Sequence, residues 1–142
     1  MKATQLLHNM GQSLWLDNIT RDLLTSGTLK SYIDELSVTG LTSNPTIFDH
    51  AIKNSAAYDA AISEQAGKGK TGETLFYELA LDDITRAAEL FQPVYDRTDS
   101  VDGWVSLEVS PLVPPASSVR LIVLRIQSVG AIGHRLIARV LP

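Results

Sequence analysis

Three short apolar runs in this chain end in side chains that can titrate or hydrogen-bond. Ser13 to Leu16 is closed by Asp17 and Asn18. Val38 to Leu41 leads into Thr42, Ser43 and Asn44 and then Pro45, and Gly103 to Leu107 is closed by Glu108. Carboxylates such as Asp17 and Glu108 suit proton transfer when partial burial tunes them, and Thr42, Ser43 and Asn44 offer donors and acceptors. Taken singly, each segment also fits a structural role: Asp17 as a helix cap, Glu108 as a solvated strand end, Thr42 to Asn44 as a turn. The recurrence of one arrangement three times favours strands that end at a shared site.

Helical segments separate the three runs, so the order reads strand, helix, strand, helix, strand. That order favours parallel pairing and an α/β fold, in which the carboxyl ends of the strands converge on one face. Thr20 is placed to cap Arg21 to Ser26, with Gly27 as a stop, and Thr28 to cap Leu29 to Leu36. Pro45 opens the next helix, whose apolar face is Ile47, Phe48, Ala51 and Ile52, and Ser55 starts another carrying Tyr58, Ala61 and Ile62. The longest helical pattern runs from about Glu73 to Asp96, with Leu75, Leu79, Ile84, Ala87, Ala88 and Phe91 on its buried side. Asp82-Asp83 marks a break with recapping, and Pro93 a kink or an end.

The 142 residues are enough for one domain with a hydrophobic core. No cysteine is present, which excludes disulfides, thiol catalysis and cysteine-ligated zinc. His8, His50 and His134 are too scattered for a metal site. The Gly67 to Gly72 segment contains Gly-Lys-Thr, but a P-loop would need a glycine where Glu64 stands and a strand before it, so it reads as a loop between helices. The first residues lack the long apolar core of a signal peptide, and a cytoplasmic location is the default. Charge divides the chain: residues 1–110 carry all 16 acidic side chains and 8 of the 12 basic ones, whereas residues from Pro111 on carry four arginines and no Asp, Glu or Lys. A globular domain seldom changes composition so abruptly within one fold.

The segments SLWLDNITR (Ser13 to Arg21), GLTSNPTIF (Gly40 to Phe48), PVYD (Pro93 to Asp96) and VDGWVSLEVSP (Val101 to Pro111) together resemble transaldolase in its longer bacterial form. The resemblance covers roughly residues 1–112, and its specific parts are the Thr-Ser-Asn-Pro and Ser-Leu-Glu-Val segments. It implies the first three βα units of a (β/α)8 TIM barrel of the class I aldolase type, truncated. It also implies a transferase of the pentose phosphate pathway that moves a dihydroxyacetone unit from sedoheptulose 7-phosphate to glyceraldehyde 3-phosphate. That reaction uses a lysine Schiff base and needs no metal or cofactor. Carried over by residue, the resemblance makes Asp17 the general acid/base on the substrate hydroxyl and Glu108 a partner to a water in Schiff-base formation and hydrolysis. Asn44 becomes a hydrogen-bond partner of the donor ketose, and Thr42 its support. Sugar phosphates are the expected partners, and no nucleic acid is expected.

The family's lysine stands on the strand after the one with the glutamate. Here the last lysine is Lys70, and Lys2, Lys30, Lys53, Lys68 and Lys70 all fall in helices or loops. Arg120, Arg125, Arg135 and Arg139 cannot replace it, because guanidinium stays protonated. The expectation is therefore a chain of transaldolase ancestry that lacks the Schiff-base lysine and is inactive alone. Residues 113–142 are expected to be a divergent tail read from a shifted frame or a misassembled gene. The alternative is a noncatalytic remnant or a small interaction protein with a basic amphipathic tail. On a helix from Val119 the arginines share one side, while Val119 to Ile126 suits a strand equally; membrane association is not the expectation. Three strands of a barrel leave two open edges, which predicts self-association unless the tail supplies a fourth strand.

Overall fold

The computed structural model describes residues 1–109, 120–128 and 134–141, with side chains described as far as Glu108. Its centre is a five-stranded sheet in the order β1 (Leu14–Asp17), β2 (Val38–Ser43), β3 (Val105–Val109), β4 (Arg120–Ser128) and β5 (His134–Leu141). The pairs β1–β2 and β2–β3 are parallel, whereas β3–β4 and β4–β5 are antiparallel. This is an α/β fold, and its three parallel strands are those expected from the sequence.

Helices connect the parallel strands. After α1 (Ala3–Asn9) and β1 come α2 (Arg21–Thr25) and α3 (Thr28–Leu36). Thr20 caps α2, its hydroxyl accepting from Leu23 N at 3.0 Å. Gly27, at φ 80°, occupies the left-handed position between the two helices, a conformation that glycine adopts without strain. Between β2 and β3 lie α4 (Pro45–Lys53), a 3-10 turn (Ala56–Tyr58), α5 (Asp59–Gly67) and the 26-residue α6 (Gly72–Arg97). Residues 68–71 link α5 to α6 as the expected loop.

One stripe of α6, made of Ala80, Ile84, Ala87, Ala88, Phe91 and Val94, packs on the sheet. Leu41, Val105 and Leu107 meet it from the strands, and Ile19, Leu29, Ile33 and Phe48 close the layer; all are buried. The spacing of the stripe, three and four residues by turns, is that of an amphipathic helix on a sheet face.

Thr28, expected to cap α3, is its first helical residue, with Gly27 at the cap. Asp82-Asp83 does not break α6, because the Asp83 carboxylate is engaged by side chains of two other elements and does not recap the backbone. Pro93 stands inside the helix, which ends at Arg97, next to the expected Asp96, with Val94 buried in the core. Of the two forms open to the tail, residues 120–128 take the strand, which covers the edge of β3 as the expected fourth strand. A second tail strand, β5, pairs with it, which alternation in the sequence had not suggested. The junction near Val113 and the residues Val119, Gly130 and Gly133 lie outside the described residues.

Candidate functional site

Side chains alternate across a strand, and laterally paired residues share a face. Leu16, Leu41 and Val105 are paired in register, and all turn to the helices. The next row, Asp17, Thr42 and Ser106, therefore faces away from the helical layer. Two residues further along, Asn44 and Glu108 continue on that face. Below this row the Trp15 indole lies across Gly40, where any Cβ would come within 2.6 Å of Trp15 Cε2. Any larger residue there would force the ring to move.

The carboxyl ends of the three parallel strands open on a cleft of about 890 Å³. Asp17, Asn44 and Glu108 line it together, although 91 residues of chain separate the first from the last. Thr42 is not among the lining residues; it is half-buried between Asp17 and Ser106 in the sheet. Asp17 is exposed, Asn44 and Glu108 half-buried.

Asn44 also has a structural task. Its Oδ1 accepts from Ile47 N at 3.0 Å, capping α4, and Pro45 takes the first helical position, where no amide proton is needed. With Oδ1 committed to the helix, Nδ2 is the atom with which Asn44 can donate to a ligand. Ser43, on the helix-facing side, donates to Ser106 O at 2.8 Å and ties β2 to β3 immediately before the site.

The cleft is acidic. Asp17, Asp22 and Glu108 line it, His50 is the one basic side-chain type there, and neither lysine nor arginine takes part among the described residues. All five lysines of the chain are ion-paired elsewhere: Lys2 with Glu35, Lys30 with Asp34, Lys53 with Asp49, Lys68 with Glu64 and Lys70 with Glu78. Such a surface can hydrogen-bond hydroxyl groups and move protons. Among the described residues it offers no lysine amine to attack a carbonyl and no arginine fork to hold a phosphate.

Sequence reasoning missed a polar cluster behind the cleft wall. Arg21, the first residue of α2, gives Nε to Asp83 Oδ1 at 2.9 Å and Nη2 to Asp82 Oδ2 at 3.0 Å. The Tyr58 hydroxyl donates to Asp83 Oδ2 at 2.7 Å and accepts from Arg21 N at 3.0 Å, while the guanidinium lies 4.5 Å from the Tyr58 ring centroid. Arg21, Tyr58 and Asp83 are all buried. Burial pushes the Asp83 carboxyl above its ordinary range, against the pull of Tyr58 and Arg21. Burial, with Asp83 adding to it, pushes the Tyr58 phenol up as well. One signal was legible: Asp83 falls on the same stripe as Ala80 and Ala87, and an acid on a buried stripe requires a partner.

Comparison with known proteins identifies the family. Residues 14–117 match the family model described as Transaldolase/Fructose-6-phosphate aldolase. A transaldolase of Arthrobacter sp. (strain FB24) is 46% identical over 108 residues, 76% of this chain and 29% of the relative. One from Trichodesmium erythraeum (strain IMS101) is 41% identical over 107 residues, 75% of this chain and 28% of the relative. Transaldolase 2 of Nostoc punctiforme is 41% identical over 103 residues, 72% and 27%. The chain thus spans less than a third of the length of these curated relatives. The family match covers most of the chain and all three parallel strands, and on that ground the chain belongs to the transaldolase/fructose-6-phosphate aldolase family.

Proposed function

We propose that this chain carries the first wall of a transaldolase active site and binds the hydroxyl-bearing part of a ketose phosphate without turning it over. The observation that supports this most is the convergence of Asp17, Asn44 and Glu108 on one cleft that no lysine lines. In the complete reaction a dihydroxyacetone unit passes from sedoheptulose 7-phosphate to glyceraldehyde 3-phosphate through a lysine Schiff base, giving erythrose 4-phosphate and fructose 6-phosphate. Asp17 takes the proton from the hydroxyl whose carbon–carbon bond breaks, and returns it in the reverse sense. Glu108 holds the water that carries protons during formation and hydrolysis of the Schiff base. Asn44 donates to the ketose hydroxyls through Nδ2, and Thr42 fixes the strand between Asp17 and Asn44.

The nucleophile is the missing part. A neutral amine on the inner face of the sheet is needed, and each lysine of this chain is ion-paired away from it. The same proposal places residues 1–112 as the N-terminal part of a barrel and residues 113–142 as a product of a shifted reading frame, in a cytoplasmic setting. Reading the nucleotide sequence around codon 112 tests the last point: a second frame that encodes an apolar strand ending in lysine supports it, and a clean unshifted gene removes it. Activity is tested with fructose 6-phosphate and erythrose 4-phosphate, with borohydride added to trap any covalent adduct. The expected result is no turnover and no adduct; a trapped adduct identifies an amine and overturns the assignment.

A second reading rests on the tail. β4 and β5 extend the sheet with antiparallel pairs and leave β3 no open edge. A small noncatalytic binding protein built on the three parallel strands is consistent with that cover.

A further inference from the structure

The buried Arg21–Tyr58–Asp83 cluster serves no step of the proposed chemistry, yet it joins three elements at the back of the cleft. Tyr58 ends the 3-10 turn, Asp83 stands mid-way along α6, and Arg21 starts α2, only four residues after Asp17. The Tyr58 hydroxyl is used in both directions, accepting from the Arg21 amide and donating to Asp83. A second tie lies beside it, where Ser55 Oγ donates to Asp22 Oδ2 at 2.7 Å. The first turn of α2 is thus held to the segment from Ser55 to Tyr58 at two points. Ser55, Asp22 and Asp17 all line the cleft.

We propose that Arg21 and Tyr58 are positioning residues: with Asp83 they clamp the Asn18–Thr20 loop, and through it the Asp17 carboxylate, in place at the cleft. The inference rests on the reading of Asp17 as the proton-transfer group. The argument is one of cost and geometry. Buried ionic groups seldom stabilise a fold more than a well-packed apolar set of the same volume. What this cluster adds is direction. The planar Arg21 fork meets Asp83 and Asp82 at once and stacks on the Tyr58 ring, so α2 can dock in one orientation only. Ile19 alone, a greasy anchor with 0% exposure, would hold the loop down but allow it to turn.

The test uses the 142-residue chain and three variants. Tyr58→Phe keeps the ring and removes the hydroxyl, and Arg21→Lys keeps the charge and removes the fork. Ile84→Val is a core control outside the cluster. Each is followed by thermal melting, by amide exchange of Asn18, Ile19 and Thr20, and by the carboxyl 13C resonance of Asp17. Tyr58→Phe and Arg21→Lys are expected to speed exchange in the loop by about tenfold or more and to move the Asp17 resonance. Ile84→Val lowers the melting temperature with neither effect. If the cluster variants lose stability yet leave loop exchange and the Asp17 resonance as in the control, the clamp is overturned. If Tyr58→Phe does not fold, Arg21→Lys decides by the same criteria. Titration of the unaltered chain with fructose 6-phosphate keeps the two readings apart: loop and resonance effects without ketose binding uphold the clamp and refute the ligand.

Discussion

Asn44 carries two roles in one side chain, a helix cap through Oδ1 and a ligand donor through Nδ2, and substitution can separate them. Asn44→Asp keeps an acceptor for Ile47 N and loses the donor. It should preserve stability and abolish fructose 6-phosphate binding. Asn44→Ala loses both, with a cost of about 1 kcal/mol in urea denaturation. Asp83 makes a different demand. Removing it by Asp83→Ala leaves the buried Arg21 guanidinium only the half-exposed Asp82 carboxylate as a charged partner, at a cost of about 1–3 kcal/mol. Its titration sets a pH dependence of known sign. The folded carboxyl lies above its ordinary 3.8, raised by burial, so the folded chain holds this proton more tightly than the unfolded one. The share of stability linked to this proton is complete below about pH 4 and is lost as pH rises through the folded value. Urea midpoints measured against pH should show this fall in the unaltered chain and not in Asp83→Asn. Asp17, Asn44 and Glu108 were legible because each closes an apolar run. Arg21 and Tyr58 were not, since their partners lie 62 and 25 residues along the chain and no local pattern joins them.

The elements that position the site are held by close backbone approaches as much as by the core. Gly103, at φ 85° in the turn between α6 and β3, has Tyr95 N 2.5 Å from where a Cβ would stand. Gly103→Ala therefore forces both a left-handed conformation and a collision. It should destabilise the chain by about 1–3 kcal/mol, measured by denaturation, and weaken whatever ligand binding depends on Glu108. The parallel strands and most helices could be read from the sequence because caps and apolar spacing agree with the packing they reach. α6 runs unbroken through Asp82-Asp83, where local propensity argues for a break. Tertiary contacts of Asp83 with Arg21 and Tyr58, and of Val94 with the core, outweigh that preference.

For the molecule as a whole, the tail decides what becomes of an incomplete parallel sheet. β4 lies along β3 for its full length, pairing from Val105 with Leu124 to Val109 with Arg120, and so moves the open edge from β3 to β5. Deleting residues 113–142 exchanges an edge strand that carries Arg135 and Arg139 for the apolar β3, and sedimentation should then show stronger association than in the longer chain. The strand character of the tail was half legible, since Val119 to Ile126 suited strand and helix alike in the sequence; only partnership with β3 chooses between them. Family membership was the most legible property, because its marks are the strand ends themselves. The central claim is that these ends form a ketose-binding wall without a nucleophile. Its most direct test is an NMR titration of the chain with fructose 6-phosphate. The account predicts saturable shifts at Asp17, Asn44 and Glu108, with the sugar recovered unchanged. Shifts absent from those three residues, or conversion of the sugar, would contradict it.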